Sequence, residues 1–208
     1  MKIKSFFYIA FSILISFNSL AQNKERKFKI HTLAFYNLEN LFDTINDVNK
    51  NDEASPIMEI KFNRGNIYKQ KVTNMARVIS EIGYDVTNRP PTIVGICEVE
   101  NRNVVEDLIA NEKLSKYNYG IVHYDSPDRR GIDVGLLYNK DIFKVINSNS
   151  HVLYINYNNT SDRSFTRDQL VVSGKLDGEL IHLIVNHWPS RGADETKRMA
   201  AAEVNNSI

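Results

Sequence analysis

LVVSGKLDGELIHLIVN, residues 170–186, holds two apolar runs separated by Asp177 and Gly178. Valine, isoleucine and leucine dominate both runs, as they do in strands. An Asp-Gly pair between two such runs marks a tight hairpin, because both residues tolerate the positive φ that the turn requires. Residues 170–176 and 180–186 are therefore expected to pair antiparallel. The second run then ends in Asn186, His187 and Trp188, followed by Pro189, Ser190 and Arg191. A polar and aromatic cluster at the tip of an apolar strand needs a reason.

Working outward, apolar periodicity gives a coarse map. Residues 29–37 read as a strand, and the polar, punctuated residues 43–66 as a long loop. Residues 67–82 read as a helix: Val72, Met75, Ala76, Ile79 and Ile82 recur at three- and four-residue spacing, and Gly83 stands where a C-terminal cap belongs. Strands are expected at residues 92–98, 119–124, 134–138 and 152–157, and helices at residues 103–110 and from 194 to 204. Strands dominate, with a few helices between them. The fold class is α+β, two mixed sheets packed face to face with flanking helices.

The chain has 208 residues, 42% apolar and 25% charged, which suits one soluble domain with a sizeable core. Residues 1–21 stand apart. Lys2 and Lys4 precede an apolar run from Phe6 to Phe17, and Ser19, Leu20 and Ala21 supply small residues for cleavage. This is the pattern of a secretory signal peptide, too short to span a bilayer. The expectation is export, to the periplasm or beyond, with no transmembrane segment in the mature chain. Of 26 basic residues the leader takes two, leaving 24 against 25 acidic ones, a net of −1. A broadly basic binding surface is excluded. Cys97 is the one cysteine, so no intrachain disulfide forms.

Three strands place polar groups at their C-terminal ends. Asn37, Glu39 and Asn40 close the first, Glu98 and Glu100 the second, and His187 the last. Carboxylates and amide oxygens are hard ligands suited to Mg²⁺, Mn²⁺ or Ca²⁺, and zinc spacing is lacking. Each residue also has an ordinary reading. Glu98 reads as a solvated strand end, Asn37 and Asn40 as turn residues, His187 and Trp188 as core, and Arg167 as a surface ion pair. The set and its order decide.

FYNLENLFD (35–43), IVGICEVEN (93–101), HYDSPDRRGIDVGLLYN (123–139), FTRDQLVV (165–172) and VNHWPSR (185–191) together resemble the endonuclease/exonuclease/phosphatase superfamily, the deoxyribonuclease I-like group, in its exported bacterial branch. The resemblance spans residues 30–208, with the domain expected over 28–208. It implies a four-layered α/β sandwich around two packed sheets and divalent-metal hydrolysis of phosphate esters. It implies Mg²⁺, or Mn²⁺, at Glu98, with Glu39 as an acid on the metal side. Asn37, Arg167 and His187 match the family's catalytic positions, Arg167 and His187 as contacts to the phosphate. Asp133 and Gly131 are structural, and Arg191, read from its place on the turn, either helps the same anion or caps the loop.

Two later blocks of the family, Gly-Asp-x-Asn and Ser-Asp-His, do not occur before Ile208. The expectation is a C-terminally truncated chain without its last strands and without the general base. Two functions stay open: a metal-dependent phosphodiesterase, by lineage an endonuclease, or a non-catalytic exported remnant that still holds metal or phosphate. Nucleic acid is the first-choice substrate, and a phospholipid or sphingomyelin head group the second. No stable protein partner is expected.

Overall fold

A computed structural model describes residues 28–156 and 161–208. The chain divides into Met1–Ile30 and His31–Ile208, and the architecture below is that of His31–Ile208. The expected leader lies outside the described residues. Among the described residues no helix is long and apolar enough to cross a membrane.

The elements run β1 (Leu33–Leu41), α1 (Pro56–Glu59), α2 (Arg64–Glu81), α3 (Tyr84–Thr87), β2 (Ile93–Val99) and α4 (Arg102–Ala110). They continue with β3 (Tyr119–His123), β4 (Asp133–Asn139), β5 (Phe143–His151), β6 (Ile155–Asn156) and β7 (Arg163–Ser164). β8 (Gln169–Leu176), β9 (Glu179–Val185) and α5 (Glu195–Ser207) complete the order. The first sheet is mixed, in the order β1-β2-β4-β3, with β1 and β2 parallel and the other pairs antiparallel. The second is antiparallel, β5-β8-β9, and β6 pairs with β7. The class is α+β, as the sequence implies.

The hairpin that decided the fold forms as its turn residues require. Asp177 and Gly178 have φ of 50° and 95°, and Leu176 pairs with Glu179 across the two-residue turn. Gly83, at φ 64°, follows the C-cap Ile82 of α2, the left-handed position that stops a helix.

Two cores follow from the two faces of the first sheet. Toward the helices, Leu38, Leu41, Val94, Ile96, Val99 and Leu137 pack on Val72, Ala76 and Ile79 of α2 and on Val104, Val105 and Leu108 of α4. Toward the second sheet, Ile93, Cys97, Val134 and Leu136 meet Phe143, Leu170, Val172 and Val185. Helices, first sheet and second sheet are thus stacked through alternating side chains. Each fully buried aliphatic side chain contributes roughly 1.5–3 kcal/mol. A smaller cluster of Leu153, Ile155 and Ala201 seats α5. At the N-terminal end of β1, His31 Nε2 meets Asp177 of the hairpin turn at 2.6 Å and so ties the two sheets.

Several expectations shift, among them the first strand, which runs Leu33–Leu41 rather than over 29–37. β5 was not anticipated: in FKVINSNSH only Phe143 and Val145 pack into the core between the sheets, and the remaining polar residues mask the alternation. The strand expected over 152–157 shrinks to Ile155–Asn156, whose partner is the equally short β7; residue 157 lies outside the described residues. The loop expected over 43–66 contains α1 and ends at Arg64, where α2 begins.

Candidate active site

The site is made by a fault in the first sheet. β1 and β2 run in register through Asn37 and Cys97, then resume at Leu41 and Val99. β1 therefore spends three residues where β2 spends one. On its other side β2 carries Glu98 as an extra residue, because Cys97 faces Val134 and Val99 already faces Asp133. Such bulges re-aim a side chain at a strand end. Val94 and Ile96 point into the helix-side core, so strict alternation would send residue 98 there too. The bulge gives that place to Val99 and turns Glu98 out. The backbone records the effort: Glu39, Asn40 and Glu98 all have positive φ, of 52°, 57° and 59°. Such conformations cost non-glycine residues about 1–3 kcal/mol each and cluster at functional sites.

The contacts around Glu98 explain how that strain is held. Asn37 Nδ2 donates to Glu98 Oε1 at 3.0 Å, and the Asn40 backbone N–H donates to Oε2 at 3.0 Å. Asn37 Oδ1 in turn accepts the Glu39 N–H at 2.7 Å. Lys71 of α2 donates to the carbonyls of Glu39 and Asn40, the latter at 2.9 Å. Burial lowers the Lys71 pKa, against the raising pull of Glu39 and Glu98.

From the far sheet, β9 ends at Val185 and delivers His187, whose Nε2 lies 3.4 Å from Glu98 Oε1. Among the described residues its buried Nδ1 has no hydrogen-bond partner. Burial, helped by the nearby Arg167 guanidinium, holds the imidazole below its ordinary pKa of 6.5 despite Glu98. This favours the neutral imidazole, with one ring nitrogen a donor and the other an acceptor.

Arg167 is buried, and its fork is engaged. Nε donates to the His187 carbonyl at 3.1 Å, Nη2 to the Trp188 carbonyl at 3.1 Å and Nη1 to Asp128 at 3.3 Å. It braces the turn that aims the imidazole, and the buried Asp128 holds it there. Asp128 belongs to the loop between β3 and β4, itself pinned by Asp133, which accepts Ser126 N–H at 2.8 Å and touches His123 Nε2 at 3.2 Å.

Asn37, Glu98 and His187 thus meet directly, and Arg167 reaches them through the His187 backbone. Glu39 is joined to Asn37 by its backbone, and its side chain is exposed. Among the described residues no hydrogen bond links its carboxylate to Glu98 or His187. Arg191 is exposed on the turn beyond. Lys71 and Asp128 were not anticipated, because a lysine on a helix and an aspartate in a polar loop carry no local signal.

Glu98, Asp128, Arg167 and His187 line a cleft of about 380 Å³. A hard carboxylate anchored by two N–H donors and an asparagine amide fit an oxygen-seeking divalent cation. A second set of ligand atoms, on His123, Asp125 and Asp133, lies within 4.8 Å of one another, though His123 and Asp133 are already bonded to each other.

Residues 32–208 match the model of the Endonuclease/Exonuclease/phosphatase family. The chain belongs to that family. Among solved structures it is similar to an endonuclease/exonuclease/phosphatase from Bacteroides vulgatus, at 19% identity and a TM-score of 0.50, over 84% of this chain and 58% of that one. A mannosyl-6-phosphatase from Bacteroides thetaiotaomicron is similar at 14% identity and a TM-score of 0.50, over 86% and 58%. ANGEL2, a 2′,3′-cyclic phosphatase, is similar at 13% identity and a TM-score of 0.50, over 84% and 45%. At these identities the likeness is one of fold. The chain spans under two thirds of the length of each. No curated protein sequence matches it. Members of this family are hydrolases of phosphoryl esters and are generally dependent on a divalent metal.

Proposed function

We propose that this family member hydrolyses phosphodiesters with a divalent cation at Glu98, Mg²⁺ first and Mn²⁺ second, and that nucleic acid is its substrate. The observation that carries the reading is the double bulge, which puts the strained, anchored carboxylate of Glu98 within 3.4 Å of His187. A bound cation there neutralises charge gathering on a phosphate oxygen.

The protein's own groups have separable tasks. Asn37 and the Asn40 N–H fix the two Glu98 oxygens, so one lone pair of each is spent on orientation. His187 donates from Nε2 toward a phosphate oxygen in the same space. Arg167 keeps that imidazole in place and adds positive charge behind the phosphate. Glu39 stands at the exposed edge of the site, on the metal side. We place the protein outside the cytoplasm, on the leader pattern of residues 1–21.

The test is a titration of the protein with MgCl₂ by calorimetry, paired with cleavage of a plasmid and of a chromogenic phosphodiester, with and without chelator. Saturable Mg²⁺ binding lost in Glu98→Gln, with chelator-sensitive cleavage lost in both Glu98→Gln and His187→Ala, is the expected result. Mg²⁺ binding that survives in Glu98→Gln would remove the metal from this site. Binding without cleavage would leave a metal- and phosphate-binding module.

A further inference from the structure

The cleft is larger than one phosphate group needs and more basic than the chain that builds it. The whole sequence carries a net charge of +1, yet four of the residues lining the cleft are Arg129, Arg130, Arg167 and Lys197. Their acidic counterparts in the lining are Glu98 and Asp128. Asp128 is already shared between Arg167, at 3.3 Å, and Arg130, at 3.7 Å. Positive charge is concentrated beyond the floor of the site, toward its mouth.

Arg129 is held there in a particular way. Its guanidinium lies over the exposed ring of Phe165, 5.5 Å from the centroid. Arg163 approaches the same ring at 4.9 Å and the ring of Tyr154 at 5.0 Å. A guanidinium stacked on an aromatic ring uses its flat face, and its N–H donors still point outward in the plane. Stacking also removes much of the rotamer freedom that an exposed arginine would lose on gripping an anion. Among the described residues the buried Nε of Arg163 has no hydrogen-bond partner. The floor of the site, built on Glu98, Arg167 and His187, does not use this array.

We propose that Arg129, braced on Phe165, binds a second phosphate of the substrate, next along the chain from the phosphate at Glu98 and His187. The substrate class is then a linear phosphodiester with at least two phosphates, of the oligonucleotide kind, rather than a sugar monophosphate or a single-phosphate head group. The inference rests on the hydrolase reading above and narrows its substrate.

The probes are dithymidylate with one internal phosphate and the same dinucleotide phosphorylated at its 5′ or its 3′ end. Binding is measured by calorimetry in MgCl₂, and cleavage by chromatography of the products. One phosphorylated form is expected to bind about tenfold more tightly, the worth of one charge-assisted contact. Arg129→Gln should erase most of that advantage and leave binding of plain dithymidylate unchanged. Phe165→Leu, which removes the brace and keeps the charge, should reduce it in part, with circular dichroism confirming the fold. The advantage should also shrink at about 0.5 M NaCl, because the receptor is exposed. Equal binding of all three dinucleotides to the parent overturns the inference, as does an advantage that survives in Arg129→Gln. Plain dithymidylate cleaved with no such advantage leaves the hydrolase reading standing without the second subsite. Failure of all three to bind removes both.

Discussion

Glu100 should be a source of instability at neutral pH, and removing its charge should stabilise the protein. Its side chain is buried at the start of the loop after β2, where Oε2 accepts the Asp43 N–H at 2.6 Å. Burial first, and then the charges of Asp43, Asp52 and Asp47, push its pKa from 4.5 up to about 7, against the lowering effect of the Asp43 N–H. The folded state therefore keeps a proton that the unfolded state releases. Below about pH 4.5 both states are protonated, and the group contributes nothing to the pH dependence. As the pH rises from there to about 7, stability falls by up to about 1.4 kcal/mol per unit, because the folded state binds more protons. Above about 7 the whole penalty, on the order of 3 kcal/mol, is present. Glu100→Gln keeps the acceptor for the Asp43 N–H and removes the charge. Its Tm should match the parent's near pH 4 and exceed it by about 5–10 °C near pH 8, at about 2–4 °C per kcal/mol for a chain of this length. Calorimetric melts across that range, in chelator so that no cation bound at Glu98 intervenes, make the measurement. A Tm difference that is constant with pH, or a variant less stable than the parent at pH 8, would refute the reasoning.

Two further outcomes follow from packing. A Cβ on Gly174 would meet the Phe143 ring at 2.3 Å and the Lys144 carbonyl at 2.7 Å, so Gly174→Ala should destabilise by about 1–3 kcal/mol in urea melts. Arg167→Leu leaves two carbonyls without their donor and the buried Asp128 carboxylate with Arg130 alone, and should cost about 2–4 kcal/mol. A double-mutant cycle with Asp128→Leu should then show the two side chains coupled by at least about 1 kcal/mol, and additive losses would argue against the brace.

Much of this was readable in the sequence. The Asp-Gly turn fixed the pairing of β8 and β9, the apolar period fixed α2, and polar residues closing apolar runs marked Asn37, Glu98 and His187 as one group. β5 was hidden because Asn147, Ser148, Asn149 and Ser150 interrupt its alternation. The bulges were hidden because a misfit of one or two residues between strands has no signature in either strand alone. The task of Arg167 was hidden too: its acceptors at the floor are backbone carbonyls, which every residue carries. The Arg129 and Phe165 pair joins two loops distant in the chain, and only the fold brings them together.

The paired bulges also bear on divergence. Glu98 is aimed by main-chain geometry and by one asparagine, rather than by the shape of the core beside it. Val99 and Leu41, which close the bulge, need only be apolar and of suitable volume. Core residues on both sides of the sheet can therefore drift through many substitutions while the acid stays in place.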